Sequence, residues 1–314
     1  MVVVGAGVSG LTSAVWLLER GYDVEVRARD FTPDIVSAVA AAVWYPLRGE
    51  RESRYDRWLP VSFERFCGLA AVHESGVILR DGIELFRDAR ADEWWRDVLP
   101  GFRHARTDEL PPGYADGFVA RGVPVIEMPV YLRWLHARVE ELGGTIVRRE
   151  VARLDDVGSS VVVNATGLGA RELADDDSMV PIRGQVVRVA QFGLERYILD
   201  EGHPDGVVYV YPRARDIVCG GTRERGEDPM DPSPETSRAI LRRCAELEPR
   251  ILDVPVVSEA VGLRPGRPRV RLETEERSGR LVVHNYGHAG NGVTLSWGCA
   301  ADVVDLVAAS GAHG

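Results

Sequence analysis

Residues 2–11 have the sequence VVVGAGVSGL, a short apolar strand followed at once by a glycine-rich turn. Gly5, Gly7 and Gly10 fit the pattern G-x-G-x-x-G, which is informative only where a strand precedes it and a helix follows, as here. Gly5 permits the tight turn, Gly7 lets the backbone approach a pyrophosphate, and Gly10 lets helix and strand pack closely. The helix N-terminus then stabilises the phosphate charge. The stretch therefore predicts a dinucleotide-binding βαβ unit.

The next strand, residues 22–28, leads into Arg29 and Asp30, where such units select their nucleotide. An acid at this place accepts the ribose hydroxyls of FAD or NAD, whereas an arginine can receive the extra phosphate of NADP. Because both residue types are present, this segment alone leaves FAD, NAD and NADP open.

Segments with the strand–helix–strand pattern of a βαβ unit alternate along the chain with segments that are predicted to form paired antiparallel strands. No linker separates the two kinds of segment. We therefore predict an α/β fold in which a Rossmann-like nucleotide-binding domain is interleaved with a second domain built on an antiparallel sheet. The first domain is expected to comprise residues 1–74, 129–180 and 259–314, and the second residues 75–128 and 181–258.

The composition narrows the class of protein. With 314 residues and a 45% hydrophobic share the chain can bury a full core. A net charge of -10 argues against a nucleic-acid or anionic-membrane partner. No apolar run approaches a membrane span, a strand begins at the first residue, and the last residues are Ala-His-Gly rather than Ser-Lys-Leu. These features predict a cytoplasmic protein.

The four cysteines, Cys67, Cys219, Cys244 and Cys299, lie far apart without a CxxC pair, which argues against a zinc site and leaves one disulfide open. No Ser-His-Asp or Cys-His arrangement is present.

A second glycine-rich turn lies near the C-terminus, where residues 284–294 have the sequence HNYGHAGNGVT. This segment is predicted to be a strand that runs into a turn and opens the last helix. Backbone amides at such a helix start suit an anionic or electron-rich group. His284 and His288 are four residues apart here, but we predict no metal site from them.

The second turn and several other blocks resemble, in the same order, the family of D-amino acid oxidases and D-aspartate oxidases. The blocks are GAGVSGL (5–11), DFTP (30–33), AAAVWYP (40–46), VNATG (163–167), RGQ (183–185), YVYP (209–212), GGT (220–222), GLRP (262–265) and HNYGHAGNGVTLSWGCA (284–300). The resemblance implies an FAD-binding Rossmann-like domain interleaved with a substrate domain. It also implies oxidation of a D-amino acid to an imino acid, with electrons passed to O2 to give hydrogen peroxide.

Three residues carry the expected substrate contacts. Arg264 matches the arginine that holds the substrate carboxylate, a role suited to a planar, permanently charged fork. Tyr209 matches the tyrosine whose hydroxyl also reaches the carboxylate. Gly290 matches the glycine whose carbonyl receives the substrate amino group. We hypothesise that these contacts direct the Cα hydrogen at flavin N5 for hydride transfer, so that catalysis comes mainly from orientation.

Four further residues match positions in the side-chain pocket. Val43, Tyr45 and Tyr211 favour neutral, apolar D-amino acids. Arg223 instead resembles an arginine of D-aspartate oxidases that receives a second carboxylate. The alternative for Arg223 is an exposed side chain paired with Glu224 or Glu227, so an acidic substrate stays open.

The resemblance also implies a set of FAD-contacting residues: Gly5, Ala6, Gly7, Val8, Ser9, Gly10, Arg29, Asp30, Ser37, Ala41, Ala42, Val43, Trp44, Val151, Thr166, Arg264, Ala289, Gly290, Asn291, Gly292, Val293 and Thr294.

The sequence departs from the family at two places. Arg29 stands where the family has an acid and Asp30 follows it, so the ribose contact is expected to be shifted. A second active-site tyrosine is missing, and residues 203–206 occupy its stretch, which predicts a shorter covering loop and a more open mouth.

Rival functions are an NADP-dependent dehydrogenase, a non-catalytic nucleotide-binding module, and an oxidase of glycine or N-methyl amino acids. The sequence leaves monomer and homodimer both open.

Overall fold

A computed structural model describes residues 1–46, 52–91, 94–99, 101–226 and 230–311. Within these ranges the strands are β1 (Val2–Val4), β2 (Glu25–Ala28), β3 (Val77–Phe86), β4 (Arg103–His104), β5 (Asp116–Ile126), β6 (Thr145–Arg148), β7 (Val161–Asn164), β8 (Val180–Ala190), β9 (Tyr197–Asp200), β10 (Val208–Pro212), β11 (Asp216–Gly220), β12 (Glu224–Arg225), β13 (Val256–Gly266), β14 (Arg271–Arg277) and β15 (Arg280–Tyr286). The α-helices are α1 (Val8–Glu19), α2 (Val36–Val39), α3 (Tyr55–Leu69), α4 (Met128–Glu141), α5 (Ala170–Leu173), α6 (Pro234–Leu247) and α7 (Gly292–Ala309). Short 3₁₀ helices span His73–Ser75, Arg96–Val98, Thr107–Glu109, Leu154–Asp156, Gly167–Gly169 and Pro249–Asp253.

A six-stranded sheet has the order β14-β15-β7-β1-β2-β6. Strand β1 pairs in parallel with β2 and β7, and β15 pairs in parallel with β7, whereas β14 forms an antiparallel edge. The central strands β1 and β7 are fully buried and consist of valines, with Asn164 as the last residue of β7, as expected where helices cover both faces. The carboxyl ends of β1, β2, β7 and β15 lie along one edge, and a ligand-binding crevice is expected there.

The helices on this sheet pack closely. Helix α1 contacts α7 through Trp16 and Trp297, whose rings meet edge to face at 5.7 Å. Helix α3 crosses α7 at Gly298, where a Cβ atom would lie 2.3 Å from the Trp58 carbonyl oxygen. By length and composition α7 would also suit a membrane span, but 61% of it is buried inside the protein, as in a core helix.

A nine-stranded sheet has the order β12-β8-β11-β10-β9-β3-β5-β4, with β13 also paired to β8. Its named strand pairs are antiparallel except for β3 with β9, which are parallel at Gly82 and Tyr197. A side chain at Gly82 would strike the Tyr197 ring, because its Cβ would lie 2.2 Å from that ring. This parallel pair joins the two chain segments that the sequence assigned to the second domain.

Two predicted boundaries fall inside strands, and the one between residues 180 and 181 separates only Val180 from the rest of β8. The division at residue 259 cuts β13, which pairs along its length with β8 and so belongs to the nine-stranded sheet. The remaining domain division stays a prediction. All four cysteines are free thiols, so the disulfide that the sequence left open does not form.

Candidate active site

A cavity of about 1370 Å³ is lined by residues from both sheets. It brings together most of the residues predicted from the sequence: Gly5, Ala6, Gly7, Val8, Ser9, Arg29, Asp30, Ser37, Ala41, Ala42, Val43, Tyr45, Val151, Thr166, Tyr209, Tyr211, Arg223, Arg264, Ala289, Gly290, Gly292, Val293 and Thr294. Gly10, Trp44 and Asn291 do not line it. Trp44 is fully buried against the Phe63 ring, and Asn291 precedes the first residue of α7.

The first glycine turn has the predicted shape. Gly5 has a φ of +110°, and a Cβ there would lie 2.4 Å from the Ala165 carbonyl oxygen. A Cβ on Gly10 would lie 1.9 Å from the Gly5 carbonyl oxygen, so Gly10 serves helix packing rather than direct contact. Ser37 Oγ accepts a hydrogen bond from the Val8 amide at 3.1 Å, which ties the start of α1 to α2.

The outer end of the cavity carries exposed charges. Arg29 donates from Nε to Asp30 Oδ2 at 2.7 Å, and its Nη1 lies 3.5 Å from Glu150 Oε1. Hydrogen bonding to Asp30 raises the pKa of Arg29. Asp30 and Glu150 therefore place carboxylates beside the arginine that replaces the family's acid.

The second glycine turn connects the substrate residues to the sheet edge. The Ala289 amide donates to the Pro265 carbonyl at 2.9 Å, directly after Arg264. Thr294 Oγ1 donates to the Tyr45 carbonyl at 3.2 Å. The turn that opens α7 is thus fixed against both the strand that carries Arg264 and the segment that carries Tyr45.

Arg264 and Tyr209 lie beside each other on the cavity wall. The Arg264 guanidinium donates to the Thr222 carbonyl at 3.2 Å and lies against Gly184, where a Cβ would be 2.2 Å from Nη1. Burial raises the pKa of Tyr209 to about 12, an increase that the nearby positive charge of Arg264 opposes. At neutral pH the tyrosine is therefore protonated, and both groups can donate to a carboxylate.

The side-chain pocket is aromatic. The rings of Tyr209 and Tyr211 stack at 4.7 Å, and Tyr45 contacts Trp95 at 4.8 Å. The Tyr45 hydroxyl donates to Glu84 Oε2 at 2.7 Å, and burial together with the charge of Glu84 raises the pKa of Tyr45 well above its ordinary value. Tyr45 thus offers the pocket its ring rather than its hydroxyl.

Arg223 is exposed and lines the cavity mouth. The alternative partner Glu224 is paired instead with Arg183 at 2.9 Å, while Glu227 lies outside the described residues. Residues 203–206, for which the sequence predicts a shorter covering loop, are held at the buried His203, whose Nε2 lies 3.1 Å from Glu246 Oε2.

Sequence reasoning missed several residues around the cavity. Glu84 is a buried carboxylate in β3, a strand whose pattern gives no sign of function. Arg243, on α6, donates to the Gly221 carbonyl at 3.2 Å and lines the mouth. The RGQ block could have indicated Gly184, since only a glycine leaves room for the Arg264 guanidinium.

The residues present fit a dinucleotide cofactor. The cavity is continuous from the first glycine turn to the second. Asn285 lines it, and its fully buried Oδ1 accepts no hydrogen bond within the described part of the chain. A buried acceptor without a donor is costly, so a donor on a bound molecule is expected there.

The sequence matches the DAO family of FAD-dependent oxidoreductases over residues 1–306. It is 52% identical over 315 residues to a D-amino-acid oxidase of Rubrobacter xylanophilus, covering 98% of this chain and 96% of that protein. It is 40% identical over 311 residues to a D-amino-acid oxidase of Streptomyces coelicolor, with 98% and 96% covered.

Among solved structures, the chain is similar to a glycine oxidase of Geobacillus kaustophilus with a TM-score of 0.80 and 20% identity, covering 98% of this chain and 94% of that one. At that identity the likeness shows the fold alone, and it confirms the predicted α/β fold class. The family match resolves the choice of nucleotide that Arg29 left open. The chain belongs to the DAO family of FAD-dependent oxidoreductases, and FAD is its cofactor.

Proposed function

We propose that the protein oxidises D-amino acids to imino acids, using FAD and passing the electrons to O2 to give hydrogen peroxide. The observation that carries this proposal is the pairing of Arg264 with Tyr209 on the cavity wall, next to the turn that opens α7. Relatives named D-amino-acid oxidase, matched over nearly the whole chain, support it.

The chain's own residues would bind and orient the substrate. Arg264 and Tyr209 hold its carboxylate, and the Gly290 carbonyl accepts from its amino group. Three fixed points leave the Cα hydrogen of only one enantiomer directed at the cofactor. When bound, FAD would supply the redox chemistry, with the Cα hydrogen leaving as a hydride to flavin N5 and two electrons passing on to O2. The amino group loses a proton, and water hydrolyses the released imine to a 2-oxo acid.

We propose neutral, apolar D-amino acids as the preferred substrates. The rings of Tyr45 and Tyr211 line the pocket, and the Tyr45 hydroxyl is occupied by Glu84. The second candidate is D-aspartate, because Arg223 lines the mouth and Glu224 is paired elsewhere. Rates with D-valine, D-alanine, D-phenylalanine and D-aspartate distinguish the two, and a D-aspartate rate above the other three would reverse the preference.

The absorbance spectrum of the purified protein, with and without added FAD, tests the activity. We expect flavin bands near about 450 nm that are bleached, in the absence of oxygen, by a D-amino acid but not by its L-isomer. Equal bleaching by both isomers, or none, would refute the proposal. Readmitting air should restore the bands and release hydrogen peroxide. A cytoplasmic location stays a prediction from the sequence.

A further inference from the structure

A chain of hydrogen bonds runs from the edge of the six-stranded sheet to the cofactor cavity. The sheet register places His284 of β15 beside Asn164 of β7, and Glu275 of β14 lies next to His284. His284 Nε2 is 3.0 Å from Glu275 Oε2, and His284 Nδ1 is 3.3 Å from Asn164 Nδ2. Asn164 Oδ1 accepts from Thr166, which lines the cavity.

The direction of these bonds is fixed at Asn164. The Thr166 backbone amide can only donate, and the side-chain atom that it approaches at 3.3 Å must therefore be the Asn164 oxygen. The amide nitrogen of Asn164 then faces His284. An Asn amide and a His ring have ambiguous orientations on their own, but this backbone donor removes the ambiguity.

The orientation of the Asn164 amide also determines which ring nitrogen of His284 carries the proton. Because the Asn164 nitrogen donates, His284 Nδ1 must accept, and the ring proton must be on Nε2, which donates to Glu275. The surroundings agree with a neutral ring. His284 is fully buried, and burial followed by the charge of Arg271 lowers its pKa, against the opposing charges of Glu273 and Glu275. On β15 itself the His284 ring also meets the Tyr286 ring edge to face, with the ring centroids 5.6 Å apart.

The orientation of the Asn164 amide also determines the direction of the Thr166 hydroxyl proton. Thr166 Oγ1 lies 2.7 Å from Asn164 Oδ1, an acceptor, so the hydroxyl proton is directed at Asn164. On the cavity side Oγ1 retains lone pairs and no proton. A neighbouring group there must donate, as a hydroxyl does and a phosphate oxygen does not. Phosphate oxygens instead find amide donors at the start of α1.

The family resemblance already implies that Thr166 contacts FAD; we infer that the chain from Glu275 through His284 and Asn164 makes Thr166 the acceptor of a hydrogen bond from a hydroxyl group of FAD, on the ribityl chain or a ribose. His284 is then the positioning residue that sets this polarity. The inference rests on the proposed function in one respect only, that FAD occupies this cavity. Neither residue is required to contact the substrate, so its test is cofactor binding rather than turnover.

Titration of the apoprotein with FAD, followed by flavin fluorescence, tests the role of Thr166. Thr166→Val removes the acceptor at nearly constant shape, and we expect the Kd for FAD to rise about tenfold. Thr166→Ser keeps the hydroxyl and should stay within about twofold of the unmodified protein. Equal Kd values for the Val and Ser variants would overturn the inference.

Variants at His284 test the polarity. His284→Asn places an acceptor near the position of the ring Nδ1 atom and should retain most of the affinity, whereas His284→Leu should match the roughly tenfold loss of Thr166→Val. The double variant, His284→Leu with Thr166→Val, should be no weaker than either single one, because both break the same chain. Additive losses would overturn the role of His284. If His284→Leu does not fold, the Kd values of His284→Asn and the two Thr166 variants still test the inference.

Titration with ADP locates the hydroxyl. A loss on Thr166→Val that appears with both ADP and FAD assigns it to the adenosine ribose, and a loss with FAD alone assigns it to the ribityl chain. Both results support the inference. An unmodified apoprotein that binds no FAD would contradict the proposed function itself, which separates that failure from a failure at Thr166.

Discussion

The inner and outer ends of the cavity hold their charges in opposite ways. At the inner end Tyr209 is 8% exposed and lies beside Arg264, which is half-buried. At the outer end the side chains of Arg29 and Glu150 are 70% and 67% exposed. Ion pairs that are exposed to water contribute little free energy to stability or binding, whereas removing one partner from a buried pair costs several kcal/mol. Recognition by charge should therefore be concentrated at the inner end, while the outer end should depend on the backbone of the glycine turn.

The largest expected effect is at Arg264. Arg264→Ala removes the bidentate partner of the substrate carboxylate. We expect kcat/KM for a D-amino acid to fall about a hundredfold to several thousandfold. This corresponds to a loss of roughly 3–5 kcal/mol of transition-state stabilisation. Arg269→Ala, an exposed arginine five residues along the same segment, is the matched control and should leave kcat/KM within about twofold. Near-normal kcat/KM in Arg264→Ala would remove the distinction between the two ends.

A second effect at the inner end depends on pH. His288 is buried, and burial followed by the charge of Arg54 lowers its pKa from 6.5 to about 4. The unfolded chain therefore binds a proton that the folded chain excludes. The free energy of unfolding should fall by about 3 kcal/mol as the pH drops from 6.5 to about 4.

Denaturant unfolding of the apoprotein across that pH range measures this contribution. His288→Leu should make the pH dependence shallower but not abolish it, because burial also lowers the pKa of His284, whereas replacement of the exposed His73 by Gln should leave it unchanged. An equally steep pH dependence in His288→Leu would show that another group carries it. Glu109, whose pKa hydrogen bonding to Arg103 lowers from 4.5 to about 2, adds a contribution of the same sign that begins only at the lower end of this range, where the unfolded carboxyl starts to bind a proton.

The sequence predicted best those features that are local along the chain. Gly5 and Gly10 could be assigned from spacing, because a turn and the helix after it are encoded within about ten residues. Arg264 and Tyr209 could be assigned because each stands in a short block that resembles the family. The structure brings these separate blocks to one cavity.

The features that the sequence did not predict depend on distant pairs. The Tyr45 hydroxyl meets Glu84 across 39 residues, and His284 meets Asn164 across 120. The pair of His284 and Asn164 follows from strand register, and a shift of one residue would turn either side chain to the opposite face of the sheet. Tyr45 lies outside the named strands and meets Glu84 of β3 only through the tertiary fold. The boundary predicted at 259 falls within β13 for a related reason, since β13 and the strands after it share one alternating pattern of apolar and polar residues although they join different sheets.

The smallest expected effect is at the outer end. Arg29→Ala removes a guanidinium that is largely in water and already occupied by Asp30 and Glu150. We expect the Kd of the apoprotein for FAD to change less than about fivefold, and the difference to shrink further in high salt. The matched variant Arg29→Lys keeps the charge and should be closer still to the unmodified protein. A loss of more than about tenfold that persists in salt would mean that Arg29 contacts the cofactor directly, and that charge recognition extends to the outer end as well.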